Sequence, residues 1–149
     1  MFLGVEESRI NKPLRRKDTK KMSNDCFEAI ATEIVDAAYT VHKEMGPGLL
    51  ESVYEFCLVK EFQIRKIKCE TQVCVPLLYK GYEISRDLRI DLLIEDEIII
   101  ELKAVESILP VHEAQIISYL KLMDKRLGFL INFNVPIIKH GMKRFVNKY

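Results

Sequence analysis

The chain has 149 residues, of which 48% are hydrophobic and 30% are charged, and its formal net charge is +1. This length and composition predict one globular domain with a buried core. They exclude a membrane-spanning helix, since no apolar run approaches the roughly 20 residues that a bilayer requires, and the near-neutral charge excludes a broad basic surface for nucleic acid.

The first 22 residues predict a flexible basic extension ahead of a single domain over residues 23–149. They combine little apolar periodicity with five basic side chains, Arg15, Arg16, Lys17, Lys20 and Lys21. We interpret the segment as a solvated tail, with an arm that touches phosphates as the alternative. A start at Met22 would remove almost all of it. Polar residues such as Glu6 and Arg9 interrupt its apolar residues, which is unlike a secretory signal, so we expect a cytoplasmic protein.

The cysteines predict neither disulfides nor a zinc site. There are four, at Cys26, Cys57, Cys69 and Cys74. None belongs to a C-x-x-C pair, and the three histidines have no ligand spacing with them. All four lie in patterns typical of packed helices or strands, so we interpret them as structural thiols.

Two helices are predicted at the start of the domain. The first begins at Asp25, with Glu28 three residues later as its capping-box partner. Its apolar residues recur at helical spacing. It ends at the Gly-Pro-Gly sequence over 46–48, because two glycines and a proline cannot continue a helix cheaply. The second helix is predicted over about 50–66.

The apolar pattern then changes from helical spacing to alternation, which is typical of strands. The predicted strands cover 67–77, 84–94, 98–104 and 128–133. Lys80-Gly81 is typical of a hairpin turn between the first two. Pro110 fits the first turn of a third helix, and residues 137–146 predict a short edge element. The element order is α-α-β-β-β-α-β.

Glu101 and Lys103 interrupt a run that is otherwise typical of a central strand. They are two residues apart and therefore point to the same face of the strand. Burying a carboxylate and an ammonium group beside apolar residues costs free energy unless the groups are paired or bind something. Asp91, one strand earlier, raises the same question.

Strand register decides whether these groups meet. A two-residue turn after Ile94 would place Asp91 opposite Ile100, whereas a three-residue loop over 95–97 places Asp91 opposite Glu101. The other pairs in the second register are Ile90–Leu102, Leu92–Ile100, Ile94–Ile98 and Arg89–Lys103. We adopt this register because it pairs apolar residues with apolar residues, although its basic pair is unfavourable unless neighbouring carboxylates or a bound anion offset it.

Two carboxylates this close predict a bound cation between them, since like charges repel. Asp91 and Glu101 are the predicted metal ligands, and their oxygens favour Mg²⁺ or Mn²⁺ over zinc. Such an ion can activate a water molecule and polarise a phosphodiester. Lys103 would position or deprotonate that water or neutralise the phosphate. For this short pattern alone, an Asp–Lys–Glu ion-pair network on an exposed sheet face is the alternative.

Further segments resemble the GxxExxY proteins, a branch of the PD-(D/E)XK nuclease superfamily. Gly48, Glu51 and Tyr54 fit the motif that names the family. The family's aspartate strand, Glu-x-Lys strand, following helix and last core strand are similar to 89–94, 100–105, 110–120 and 128–133. The resemblance covers about residues 25–146, with the motifs in the family's order.

This resemblance implies a restriction-endonuclease-like αβββαβ core, an α/β fold whose mixed central sheet is flanked by helices. It implies that Asp91 and Glu101 hold the metal and that Lys103 acts at the water. It further implies a carboxylate from Glu51, with Gln115 and Tyr119 lining the site. The implied function is a Mg²⁺- or Mn²⁺-dependent nuclease acting on DNA or RNA, with the substrate unspecified.

Two other functions remain open at this point. A non-catalytic nucleic-acid-binding or protein-interaction module on the same fold is favoured by the near-neutral charge and by the lack of a separate recognition domain. A purely structural ion-pair network is the third possibility. A homodimer would supply the binding surface that one copy lacks, and no membrane partner is expected.

Overall fold

A computed structural model describes residues 22–84 and 87–147. Its helices and strands in chain order are α1 (Asn24–Met45), α2 (Glu51–Ile64), β1 (Cys69–Cys74), β2 (Leu78–Tyr79), β3 (Tyr82–Glu83), β4 (Arg89–Ile94), β5 (Ile98–Lys103), α3 (Pro110–Met123), β6 (Leu127–Asn132) and β7 (Met142–Val146). A 3₁₀ turn over Ile138–Gly141 precedes β7. The predicted extension over residues 1–22 lies outside the described residues, apart from Met22.

Five strands form one sheet in the order β1-β4-β5-β6-β7. The pairing of β5 with β6 is parallel and the other pairings are antiparallel. This mixed sheet flanked by helices confirms the predicted αβββαβ core. Lys80-Gly81 forms a hairpin turn, as predicted, but the turn joins the short strands β2 and β3, which form a sheet of their own, rather than two long strands over 67–77 and 84–94. In the part of the chain that is described, no helix is both long and apolar enough to cross a membrane.

The central strands are buried on both faces, and this explains their near-continuous apolar sequence. Side chains of β4, β5 and β6 on one face pack against α1 and α2, with Phe27 and Ile34 in that cluster. Side chains on the other face pack against α3, with Ile116 and Leu120 in the second cluster. Helices on both faces of the sheet therefore shield β5, the strand that contains Glu101, from water.

The start of α1 differs from the prediction by two residues. Ser23 is the N-cap, and its hydroxyl accepts a hydrogen bond from the Cys26 amide at 3.2 Å. Asp25 lies instead in the first turn, where its negative charge suits the helix dipole. Glu28 forms an ion pair with Arg144 on β7 at 3.0 Å rather than closing a capping box.

The four cysteines are free thiols in the structure. Cys57 and Cys69 pack against the core formed with α1 and α2. Cys26 and Cys74 are exposed, so the prediction that all four are packed is wrong for these two.

Tyr54 fixes the turn between α1 and α2. Its side chain is 0% exposed, and its ring stacks on Phe133 with the ring centroids 4.4 Å apart. The hydroxyl accepts a hydrogen bond from the Leu49 amide at 3.1 Å and donates one to the Gly46 carbonyl at 2.5 Å. Gly48, with a φ of 97°, supplies a conformation that other residues rarely adopt. The turn therefore fixes the position of Glu51, the first residue of α2.

We expect Tyr54→Phe to lower the free energy of unfolding by about 1–3 kcal/mol, because a backbone amide and a carbonyl lose their shared partner. Urea unfolding measures the change. Tyr39→Phe is the matched control, since Tyr39 is 41% exposed and its loss of a hydroxyl should change little. Equal effects of the two substitutions would contradict the role given to the Tyr54 hydroxyl.

Candidate active site

Strands β4 and β5 pair in the register predicted from the three-residue loop. Their Cα partners are Leu92–Ile100, Leu93–Ile99 and Ile94–Ile98. The intervening loop contains Glu95 and Asp96 with φ values of 50° and 58°. The ladder ends at Leu92 and Ile100, one step before the predicted pair of Asp91 with Glu101.

Beyond the ladder, two carboxylates take over the role of the backbone carbonyls. Glu101 Oε2 accepts a hydrogen bond from the Asp91 amide at 3.0 Å. Asp91 Oδ2 accepts one from the Leu102 amide at 2.8 Å. Each side chain is thus bound to the other strand's backbone, and the two carboxylates are held together.

The two outer pairs predicted for this register, Ile90–Leu102 and Arg89–Lys103, do not belong to the ladder. The Arg89 side chain turns to Asp87 at 2.7 Å and to the Gln72 carbonyl at 3.2 Å. Hydrogen bonds to side-chain oxygens take the place of the regular backbone pairing here. The predicted opposition of two basic residues is therefore avoided.

Glu101 lies in an environment that disfavours its charge. It is 6% exposed. The pKa of its carboxyl group is raised to about 8, first by burial and then by the Asp91 carboxylate, and these causes outweigh the lowering by the Asp91 amide and the Lys103 charge. Without a cation beside it, the carboxyl group holds its proton at neutral pH. A cation would allow both carboxylates to ionise.

Lys103 lies next to these carboxylates without an ion-pair partner. Its charge is close enough to lower the pKa of Glu101. Among the ion pairs of the described residues, none within 4.0 Å includes Lys103, Asp91 or Glu101. The Asp–Lys–Glu ion-pair network considered from the sequence is therefore not formed, and the Lys103 ammonium group is available to another partner.

Glu51 comes from the first turn of α2. Its Oε2 accepts a hydrogen bond from the Ala104 amide, immediately after β5, at 3.3 Å. Its negative charge also contributes to the raised pKa of Glu101. The turn fixed by Tyr54 thus brings a further carboxylate to the end of the central strand.

Gln115 and Tyr119 approach from α3. Tyr119 is buried and Gln115, one turn earlier, is exposed. Burial raises the pKa of the Tyr119 hydroxyl, the charges of Glu101 and Asp91 raise it further, and a side-chain hydrogen bond with Gln115 lowers it. All six site residues predicted from the sequence therefore lie in one region, around the ends of β4 and β5.

The sequence did not identify two further groups in this region, Glu55 and Gln72. The Gln72 Nε2 atom donates hydrogen bonds to Glu55 Oε1 at 3.1 Å and to Asp91 Oδ1 at 3.4 Å. Burial and the Asp91 charge raise the pKa of Glu55, while Gln72 lowers it. Glu55 lies one helical turn after Glu51, so the spacing was a usable signal. Nothing in the sequence marked Gln72.

The donor atoms fit a hard divalent cation. Oδ1 of Asp91 and Oε1 of Glu101 have no backbone partner among the described residues. Within 22–84 and 87–147, no three acidic, histidine or cysteine side chains converge as a complete metal cage. Mg²⁺ is commonly held by one or two carboxylates together with water and substrate phosphates, so two carboxylates suffice.

The raised pKa of Glu101 predicts how stability depends on pH in the metal-free protein. From about pH 4.5 to about pH 8 the folded protein keeps a proton that the unfolded chain has lost. The free energy of unfolding should therefore fall as the pH rises through this window. Glu101→Gln should flatten this fall, whereas the exposed control Glu106→Gln should leave it unchanged. Thermal unfolding across the window measures both, and an unaltered slope in Glu101→Gln would contradict the assignment.

Comparison with known proteins agrees with this geometry. A family model of the PD-(D/E)XK nuclease superfamily matches residues 28–145. This range extends from the second turn of α1 to the last but one residue of β7. Searches of curated proteins and of solved structures gave no match. Since the family model covers well over half of the chain, this protein belongs to the PD-(D/E)XK nuclease superfamily.

Proposed function

We propose that the protein is a divalent-metal-dependent nuclease that hydrolyses phosphodiester bonds of DNA or RNA. The observation that carries the proposal is the pair of carboxylates, Asp91 and Glu101, bound to each other's strand beside the unpaired ammonium group of Lys103. Membership of a nuclease superfamily supports the reaction class and a nucleic-acid substrate.

Asp91 and Glu101 are the proposed ligands of Mg²⁺ or Mn²⁺, which when bound supplies an activated water molecule and a polarised phosphodiester. The two amides that bind these carboxylates fix one oxygen of each and leave the other for the cation. The ligands are therefore oriented before the cation arrives, which favours binding because little side-chain freedom is lost.

Lys103 is the proposed group that acts on the attacking water or on the phosphate. Its ammonium group carries three donors and has no ion-pair partner within the described residues. Placed beside a phosphate that gains negative charge, such a donor stabilises the transition state more than the ground state. Glu51 adds negative charge at the end of β5, and Gln115 with Tyr119 forms the wall on the α3 side.

The buried position of Glu101 also favours catalysis over a binding-only module. A module that merely binds nucleic acid gains nothing from an acidic group whose ionisation opposes folding. A nuclease requires that group as a ligand. The GxxExxY subfamily, the homodimer and the cytoplasmic location stay predictions from the sequence, as does the choice between DNA and RNA.

We expect cleavage of labelled DNA or RNA in the presence of Mg²⁺ or Mn²⁺, and none with a chelator. Asp91→Asn and Lys103→Ala should each lower the cleavage rate by about 100-fold or more, because they remove a metal ligand and a transition-state donor. Lys43→Ala, an exposed lysine of α1, is the control and should cleave at the wild-type rate. Gel assays on single-stranded and duplex substrates measure these rates.

Two results would overturn the proposal. One is a folded wild-type protein that neither cleaves any of these substrates nor gains thermal stability from Mn²⁺, since a bound ligand must stabilise the folded state. The other is salt-dependent nucleic-acid binding that Asp91→Asn and Lys103→Ala leave intact, without cleavage by the wild type. That second result would identify a binding module on the same fold.

A further inference from the structure

Gln72 has a backbone conformation that is unusual for a strand residue. Its φ is 50°, in the left-handed region, although it lies within β1. On either side of it the pairing with β4 is regular, with Thr71 opposite Leu92 and Val73 opposite Ile90. The pair between them, Gln72 with Asp91, is missing from the ladder. The irregular residue is thus directly opposite the proposed metal ligand.

Both strands change faces at this point. Residues an even number of positions apart in a strand normally share a face. Cys69 packs in the core with α1 and α2, yet Val73, four residues later, packs in the core with α3. Leu92 and Ile90 differ in the same way. The rotation falls between these pairs, at Gln72 and Asp91, so the uninterrupted alternation predicted for β1 and β4 is wrong there.

The Gln72 side chain joins two carboxylates that would otherwise repel each other. One amide group, with its two hydrogens, donates to Glu55 at 3.1 Å and to Asp91 Oδ1 at 3.4 Å. The Gln72 carbonyl accepts a hydrogen bond from Arg89 at 3.2 Å, which holds the backbone in its left-handed conformation. Strain of this kind persists where surrounding contacts maintain it, and such residues cluster at functional sites.

We propose that Gln72 is a positioning residue of the nuclease site, whose side-chain amide orients the Asp91 carboxylate toward the cation. The proposal rests on the proposed function. Asp91 Oδ2 is fixed by the Leu102 amide, and the Gln72 amide holds Oδ1 from one side. The second lone pair of Oδ1 remains for a cation.

Gln72→Met tests the side-chain amide, because methionine has a similar length and no strong donor. Mn²⁺ affinity measured by calorimetry on the metal-free protein should fall by about tenfold, in the range found when groups that orient a metal ligand are removed. The melting temperature should change little, since the lost hydrogen bonds are at the surface. Cleavage should fall at least as much as Mn²⁺ affinity.

Gln72→Gly separates positioning from a structural role. Glycine adopts a positive φ without strain, so the melting temperature should stay the same or rise, while Mn²⁺ affinity falls. Lys80→Gly is the matched control, because Lys80 has a φ of 49° in the β2–β3 hairpin, outside the site. It should show the same thermal behaviour with wild-type Mn²⁺ affinity.

Two outcomes distinguish the possible failures. If the wild type binds Mn²⁺ and both Gln72 variants bind it equally well, or if Gln72→Gly loses stability in step with affinity, Gln72 is not a positioning residue and the proposed function stands. If the folded wild type binds no Mn²⁺, with or without nucleic acid, the proposed function fails and the role of Gln72 fails with it.

Discussion

Two hydrogen bonds at the end of the β4–β5 ladder, from the Asp91 amide to the Glu101 carboxylate and from the Leu102 amide to the Asp91 carboxylate, are the contacts on which the candidate site depends. They satisfy the Asp91 and Leu102 amides with carboxylate oxygens at the point where the regular backbone pairing ends. In the proposed function, the cation binds the remaining oxygens of these two carboxylates. Helices α2 and α3 add further groups beside these carboxylates, Glu51 and Tyr119.

Burial and function oppose each other at Glu101. The central strand must be apolar to hold the two helical layers together, and this surrounds the carboxyl group with a medium that resists its ionisation. Tyr54 also links the core to the site. Its ring packs on Phe133 in the core, and its hydroxyl fixes the turn that precedes Glu51, whose carboxylate binds the Ala104 amide. Glu101 and Tyr54 therefore contribute both to the packing of the core and to the geometry of the candidate site.

The sequence predicted the parts of this arrangement that follow from side-chain patterns. Loop length and apolar pairing were sufficient for the β4–β5 register, and helical spacing placed Gln115 near Tyr119. Gln72 was not predictable because a left-handed φ at a glutamine depends on contacts with Arg89 and Asp91 that only the folded chain provides. The N-cap was missed because an earlier serine competes with Asp25, and the choice depends on where the chain enters the helix.

The most direct test is a crystal structure grown with Mn²⁺, with the ion located by anomalous scattering. The account predicts an anomalous peak at about 2.1 Å from a carboxylate oxygen of both Asp91 and Glu101, and no peak there in Glu101→Gln crystals. Ordered ions elsewhere on the surface, with none between these two carboxylates at saturating Mn²⁺, would contradict it.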